Sequence, residues 1–262
     1  MKERLPQAAA LSRRELDVTD RGAVEKAIAG VDVVVHLAAW TDVDGCEREP
    51  DRARSVNVDG TSIVVGAARH TNARVIFLST DYVFGGDRST PYREEDPPDP
   101  VNVYGRTKAD AENVALAYER CLIVRASWVF GDGRNFVRTI LDAARANKPL
   151  SVVDDQRGVP TPASALADAL AWLIERDRNG IIHVAGDGPI VSWAEFAETA
   201  LETAGMTADV EGVSTHEYLA EARRVVAPRP AYSALDLGKA RSLGVPLLDW
   251  RAGLKAYIGA MG

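Results

Sequence analysis

The sequence predicts an α/β fold built on a parallel sheet, and three observations support this. Short apolar runs alternate along the chain with segments of helical periodicity, the pattern of strands joined by helical crossovers. The runs lack polar alternation, as in 31-VDVVVHLAA-39, so both faces of these strands should be buried. The length of 262 residues and the 46% hydrophobic content suit one large domain, or a domain with a smaller lobe.

The elements follow in order from these patterns. The predicted strands are residues 31–39, 73–80, 121–130 and 181–186. The predicted helices are residues 20–29, 50–70, 104–119, 134–147, 162–176 and 192–205. Asp20 is a suitable N-cap for the first helix, and Pro162 suits a first helical turn. Ser192 with Glu195 has capping-box spacing, and Gly205 follows the end of that helix.

The middle of the chain suggests a division of the fold. The loop 85–102 is long and rich in Pro, Gly and Asp, and long loops in compact domains are usually functional or disordered. Strand-like runs become fewer after about residues 148–160. We therefore expect one domain over residues 1–150. Residues 151–262 should form mainly a smaller lobe, with some segments returning to the first domain.

Composition excludes several classes of function. The formal net charge of -7, without a basic block, argues against a nucleic-acid partner. No apolar run approaches the roughly 20 residues that span a bilayer, and the N-terminal residues lack the apolar core of a signal peptide, so we expect no membrane partner and a cytoplasmic protein. Cys46 and Cys121 are too few for a disulfide framework. The four histidines are scattered, so no metal site is expected.

The stretch 104-YGRTK-108 carries the chemical prediction. Tyr104 and Lys108 are four residues apart, so they lie on one face of a helix. A tyrosine has an ordinary pKa of about 10, and a nearby ammonium moves that pKa toward neutral pH. A hydroxyl at the end of the upstream strand, from Thr80 or Ser79, could hold a substrate carbonyl beside the phenol. Together these groups would protonate an oxygen while a hydride reaches its carbon; otherwise the pair is an ordinary solvated one.

Longer motifs surround these residues: 79-STDYVFGG-86, 91-PYREEDPPDPVNVYGRTKADAE-112, 125-RASWVFGDGRNFV-137 and 155-DQRGVPT-161. They resemble the extended short-chain dehydrogenase/reductases, most closely the dTDP-4-dehydrorhamnose reductases and related nucleotide-sugar 4-ketoreductases. The resemblance implies a Rossmann-type, doubly wound parallel sheet in an NAD(P)-binding domain over residues 1–150, N-terminally incomplete, and mainly a small C-terminal substrate-binding lobe over residues 151–262. It also implies reduction of a 4-keto nucleotide sugar, for dTDP-rhamnose or a related deoxysugar, with NADPH as cofactor and NADH as the alternative. The oligomeric state is left open, with a homodimer as one candidate.

The resemblance also implies roles for individual residues. Tyr104 would donate the proton, Lys108 would lower its pKa and bind the nicotinamide ribose, and Thr80 would hydrogen-bond the keto oxygen. The other implied substrate-binding residues are Asp81, Tyr82, Trp128, Asn135, Gln156 and Arg229. The other implied cofactor-binding residues are Asp17, Val18, Ala38, Ala39, Trp40 and Asn57. Three of these have a structural alternative: packing for Trp128, a loop anchor for Arg229 and a helix cap for Asp17.

The N-terminal sequence departs from the resemblance. The family begins with an apolar strand and a Gly-rich turn that binds the cofactor's pyrophosphate, whereas residues 1–10 contain no glycine. Residues 8–13 resemble the family's second strand, and residues 1–5 the end of its first helix. A start at an internal methionine, a truncation and a loss of catalysis remain as explanations. The alternative function is a non-catalytic subunit resembling the regulatory subunit of methionine adenosyltransferase, which shares the PYREED-like loop and the YGxTK pattern.

Overall fold

The computed structural model describes residues 4–221 and 225–261. Its main sheet has four parallel strands in the order β1-β2-β3-β8, and short strand pairs lie outside it. The strands are β1 Val33–His36, β2 Arg74–Thr80, β3 Cys121–Ala126, β4 Val129–Phe130, β5 Leu150–Val153, β6 Arg157–Gly158, β7 Thr161–Pro162, β8 Gly180–His183, β9 Val191–Ser192 and β10 Val210–Val213. All four predicted strands are therefore present, each shorter than its apolar run.

Helices connect the strands. They are α1 Arg21–Ile28, α2 Val43–Arg48, α3 Pro50–Arg54, α4 Gly60–Thr71, α5 Val103–Leu116, α6 Phe136–Arg145, α7 Ala163–Ile174, α8 Trp193–Thr203, α9 Thr215–Glu221, α10 Gly238–Leu243 and α11 Trp250–Gly259. The predicted helix over residues 50–70 is divided by a π-helical turn, Ser55–Asp59. The Asp20 cap and the Ser192 capping box form as predicted. Pro162 is the N-cap of α7 rather than a residue of its first turn.

The main sheet is covered on both faces. Phe77 and Ile123 pack against α1, α4 and α5 on one face. Ile76 and Val124 pack against α7 and α10 on the other face. This arrangement explains why the strand sequences lack polar alternation. Because the strands are parallel, their carboxyl ends share one edge of the sheet, where ligands bind in open α/β folds.

A second apolar core lies in the later part of the chain. It is built largely from α6, α8 and α11, with Phe130, Phe196 and Trp250 among its buried side chains. The strand β8, also late in the chain, returns to the main sheet. The predicted lobe, its returning segments and the domain boundary at residue 150 stay predictions.

The expected strand at residues 8–13 is wrong for this structure. These residues are exposed and have no strand assignment, and Leu11 is 51% exposed. A strand requires a hydrogen-bonded neighbour, and here none of the described residues pairs with this segment. Arg4 and Leu5 are not helical, and the rest of the expected helix end, residues 1–3, lies outside the described residues.

None of the helices in the described ranges combines the length and apolar character needed to span a bilayer. Within the same ranges, no group of three or more His, Cys, Asp or Glu side chains is arranged to hold a metal ion.

Candidate functional site

The centre of the candidate site lies where β2 ends. Thr80 is the last residue of β2 and caps a short 3-10 turn, Asp81–Val83, by accepting a hydrogen bond from the Tyr82 amide at 3.2 Å. Its hydroxyl donates to Asp81 Oδ1 at 3.0 Å and lies near enough to the Tyr104 side chain to act on its pKa. Thr80 and Tyr104, predicted to act together, are therefore neighbours.

The helix α5, which carries Tyr104 and Lys108, meets this strand end through its N-terminal turn. Asn102 caps α5 by accepting a hydrogen bond from the Gly105 amide at 2.7 Å. Gly105 lies so close to the 3-10 turn that an added Cβ would be 2.1 Å from the Tyr82 carbonyl oxygen. The Tyr104 and Tyr82 rings meet edge to face, with centroids 6.0 Å apart.

The pKa of Tyr104 differs from the expectation. It is raised, because the side chain is buried and Asp81 lies nearby, and the hydrogen bond with Thr80 opposes the rise only partly. The expected net shift of the Tyr104 pKa toward neutral pH is therefore absent in this structure, because burial has the larger effect. Residue spacing indicated that the two side chains share a helix face, but it could not indicate how deeply the phenol is buried.

Lys108 is held among groups of β2. Its Nζ donates to the Leu78 carbonyl at 2.8 Å and lies 4.0 Å from the centroid of the Phe77 ring. Burial lowers the pKa of Lys108 to about 7, and Glu112 opposes this shift.

Asp81 and Tyr82 extend the site. Burial raises the pKa of Asp81 to about 7, opposed by hydrogen bonds with Ser233 and Thr80, and its Oδ2 has no well-aligned partner among the described residues. Burial also raises the pKa of Tyr82 to about 12, opposed by Arg229. Arg229 pairs with Asp44 of α2 at 2.7 Å, so it joins the segment around residues 225–230 to the main domain.

The predicted cofactor side follows β1. Ala38 is exposed, and Ala39 and Trp40 are half-buried in the segment after this strand. Asn57, in the π-helical turn, accepts the Trp40 amide hydrogen at 2.7 Å and donates to Thr107 Oγ1 at 2.9 Å. One buried amide therefore links this segment to α5.

Asp17 and Val18 lie farther along this side. Asp17 Oδ1 accepts from the amide and hydroxyl of Thr19 at 2.9 and 2.7 Å, and these bonds lower its pKa. The cap of α1 is Asp20, so the cap alternative for Asp17 is wrong. Val18 packs on Gly60, where an added Cβ would be 2.9 Å from it.

Three predicted substrate residues make contacts within the later part of the chain. Trp128 has a left-handed φ of 43° and stacks on Trp193 with centroids 3.6 Å apart. Asn135 caps α6 and donates to the Tyr257 hydroxyl at 2.8 Å. Gln156 donates to Thr215 Oγ1 at 2.9 Å. These contacts match the packing alternative for Trp128, and their substrate roles stay predictions.

Sequence reasoning missed several residues of the site. Ser233 acts on the pKa of Asp81 from more than 150 positions away in the sequence, and nothing in the local sequence indicates it. Asp44 was missed because its partner Arg229 is also distant in sequence, and Thr107 because its partner Asn57 lies 50 positions earlier. Glu112 carried a signal, because it lies four residues after Lys108 in 104-YGRTKADAE-112.

Comparison of the sequence with known proteins identifies the family of this chain. A family model described as RmlD substrate binding domain matches residues 1–262. A dTDP-4-dehydrorhamnose reductase of Mycolicibacterium smegmatis is 39% identical over 258 residues, covering 96% of this chain and 77% of the relative. A probable dTDP-4,6-dihydroxy-2-methyloxan-3-one 4-ketoreductase of Streptomyces antibioticus is 36% identical, covering 97% of this chain and 87% of the relative.

A solved structure extends the similarity to three dimensions. The dTDP-4-dehydrorhamnose reductase of Bacillus anthracis in complex with NADP has a TM-score of 0.87 and 33% sequence identity, covering 96% of this chain and 89% of that one. The predicted α/β, Rossmann-type fold class and the resemblance that suggested it are thereby confirmed. The chain belongs to the RmlD substrate binding domain family.

Proposed function

We propose that this protein reduces the 4-keto group of a dTDP-4-keto-6-deoxysugar with NADPH, in the biosynthesis of dTDP-rhamnose or a related deoxysugar. The relatives described above are named as reductases of such sugars, and one related reductase was solved with NADP. These names favour the reductase over the regulatory-subunit alternative. The observation that carries the proposal is the packing of the first turn of α5 against the turn that follows Thr80, which brings Tyr104 beside the end of β2, with Lys108 one turn farther along α5.

The residues of the site fit the nicotinamide end of the cofactor. The ammonium of Lys108 and the hydroxyl of Tyr104 are suitable partners for ribose hydroxyls, and the small residues Ala38 and Ala39 leave space after β1. When bound, NADPH supplies the hydride for the keto carbon. The Arg13 and Arg14 side chains, both exposed, are candidates for pairing with its 2′-phosphate.

Each catalytic side chain then has a role in proton transfer. Thr80 donates a hydrogen bond to the keto oxygen, and Tyr104 donates the proton to that oxygen. The raised pKa keeps Tyr104 protonated before the reaction, as a proton donor requires. The charge of Lys108 stabilises the phenolate left behind.

The substrate side of the site adds recognition. The unpaired Oδ2 of buried Asp81 can accept a hydrogen bond from a sugar hydroxyl, since an unsatisfied buried acceptor is costly until a ligand pairs with it. Tyr82 and Arg229 flank the same position. Trp128, Asn135 and Gln156 shape the lobe that surrounds the nucleotide part.

The test is the rate of NADPH oxidation with dTDP-4-dehydrorhamnose. Tyr104→Phe should lower kcat by roughly 100- to 10,000-fold, the usual contribution of a general acid. Tyr218→Phe, a matched change on the exposed face of α9, should leave kcat unchanged. Full activity of the Tyr104→Phe protein would rule out Tyr104 as the donor, and a wild-type protein without turnover would contradict the proposed function.

A further inference from the structure

Glu112 is a buried carboxylate with no part in the steps above. It lies on α5 with only 2% of its surface exposed. Tyr104, Lys108 and Glu112 recur at intervals of four residues, so they form a row along one face of the helix. Glu112 therefore follows the two catalytic side chains directly, toward the interior.

Arg125 fixes the position of Glu112. Its Nη2 donates to Glu112 Oε2 at 2.7 Å, and its Nε donates to Oε1 at 2.9 Å. Arg125 is 1% exposed, and its guanidinium lies 4.9 Å from the centroid of the Phe84 ring. A buried ion pair of this kind is weak evidence for a gain in stability, so stability alone does not account for two charges at this place.

The contacts that the Lys108 ammonium makes among the described residues are neutral. They are the Leu78 carbonyl and the Phe77 ring, neither of which replaces the hydration of an ammonium. Burial therefore lowers the pKa of Lys108, while the charge of Glu112 opposes that change.

The other titratable groups near Lys108 do not supply a negative charge beside its ammonium. His36, from β1, is neutral near pH 7, because burial and the neighbouring Lys108 lower its pKa to about 3. Tyr104, on the same helix, has a raised pKa and is protonated. Arg125, from β3, is a cation. The buried polar side chains at the end of β2, Ser79 and Thr80, carry no charge.

We propose that Glu112 is the counter-ion that keeps Lys108 in its ammonium form, and that Arg125 limits this effect by sharing the charge of Glu112. The inference rests on the proposed function, in which Lys108 acts as a cation. Glu112 is thus a positioning residue, because it acts through Lys108 and does not touch the reacting atoms. Tyr104, Lys108 and Glu112 follow one another along α5, and Arg125 contacts the last of them.

The experiment compares two variants by the pH at which activity is lost on the alkaline side. Glu112→Gln with Arg125→Met removes both charges, so neither partner stays buried and unpaired. Its alkaline limb should move to lower pH by about one unit or more, since a nearby charge shifts a pKa by roughly one to three units. Arg125→Met alone removes the cation that shares the charge of Glu112. The full charge of Glu112 then acts on Lys108, and the alkaline limb should move to higher pH.

The opposite directions separate charge from structure, because both variants break the same ion pair. Limbs that move together, or that do not move, would overturn the proposal. The matched control is Asp142→Asn with Arg145→Met, an exposed pair on α6, which should leave the limb in place.

A second readout does not depend on the sugar. The pH dependence of NADPH binding, measured by calorimetry for each folded variant, should show the same opposite shifts. If the wild-type protein binds NADPH but does not turn over the sugar, the proposed function fails while the binding shifts still test Glu112. If the wild-type protein turns over the sugar normally but the variants show no such shifts, the role of Glu112 is refuted and the proposed function stands.

Discussion

Asp81 shows how a single buried carboxyl group can make stability depend on pH. Its folded pKa of about 7 lies above the ordinary value of 3.8, so the folded protein holds its proton more tightly than the unfolded chain. This contribution is fully present below about pH 4 and is lost as the pH rises to about 7. Above that pH the carboxylate is ionised and buried.

Asp81→Asn should therefore change stability differently at the two ends of this range. The free energy of unfolding of the variant, taken relative to that of the wild type, should rise by about 2–4 kcal/mol from pH 4 to pH 8. Urea denaturation at both pH values measures this difference. The exposed Asp209→Asn should show no such change, and an equal effect of Asp81→Asn at both pH values would refute a raised pKa.

At the residue scale, the sequence indicates the candidate reacting groups but not their protonation. Thr80, Tyr104 and Lys108 follow from the motifs, and in the structure Tyr104 and Lys108 lie on α5 beside the end of β2, where Thr80 lies; their catalytic roles stay a prediction. The direction of the Tyr104 pKa shift was wrong because it depends on burial by Tyr82, Asp81 and neighbouring segments, which spacing does not reveal.

At the scale of elements, the position of α5 depends on the glycine in its first turn. No side chain fits at position 105, since its Cβ would be 2.1 Å from the Tyr82 carbonyl and 2.9 Å from Pro100. The backbone of the helix therefore rests directly on the turn that follows β2. This contact sets the distance between Tyr104 and Thr80.

Gly105→Ala should push the helix away from the turn. We expect kcat to fall by at least about tenfold and stability to fall by about 1–3 kcal/mol, as for other overpacked positions. Steady-state kinetics and thermal unfolding measure the two effects. Gly66→Ala on α4, where an added Cβ meets nothing within 4 Å, should instead raise stability by roughly 0.5–1 kcal/mol. Equal behaviour of the two variants would contradict the steric argument.

The elements that sequence reasoning recovered are those with local signals. The apolar run of β2, the Asp20 cap and the Ser192 capping box each lie within a few residues, and each is present. The break after β3 was missed, because Trp128 takes its left-handed conformation against Trp193, 65 positions later. Residues 8–13 have strand-like composition, but a strand also needs a neighbour.

At the scale of the whole molecule, Arg229 connects the two parts of the candidate site. It pairs with Asp44 of α2 and opposes the rise of the Tyr82 pKa in the turn after β2. Asn102, the cap of α5, also donates to the Pro228 carbonyl at 2.9 Å. The segment around residues 225–230 is thereby tied to both α2 and α5.

Arg229→Met should loosen this connection. We expect the KM for the nucleotide sugar to rise by about tenfold, as removal of a partly buried charge pair costs more than about 1.4 kcal/mol, while the Kd for NADPH stays unchanged. Kinetics and calorimetry report the two quantities. Arg241→Met removes a pair that is about half exposed and should change neither. A rise in the Kd for NADPH would show that Arg229 acts more widely.

Asn57 joins the segment that follows β1 to the helix that carries Tyr104, and it does so with one side chain. In the proposed function, the cofactor lies against the segment after β1 and the nucleotide sugar lies beside α5. The distance between these two reactants is therefore set by the Asn57 amide and not by the affinity of the protein for either one. Loss of this amide would leave both ligands bound but less often at reacting distance. The signature would be kinetic: hydride transfer would become the slow step, and deuterated NADPH would show a larger isotope effect.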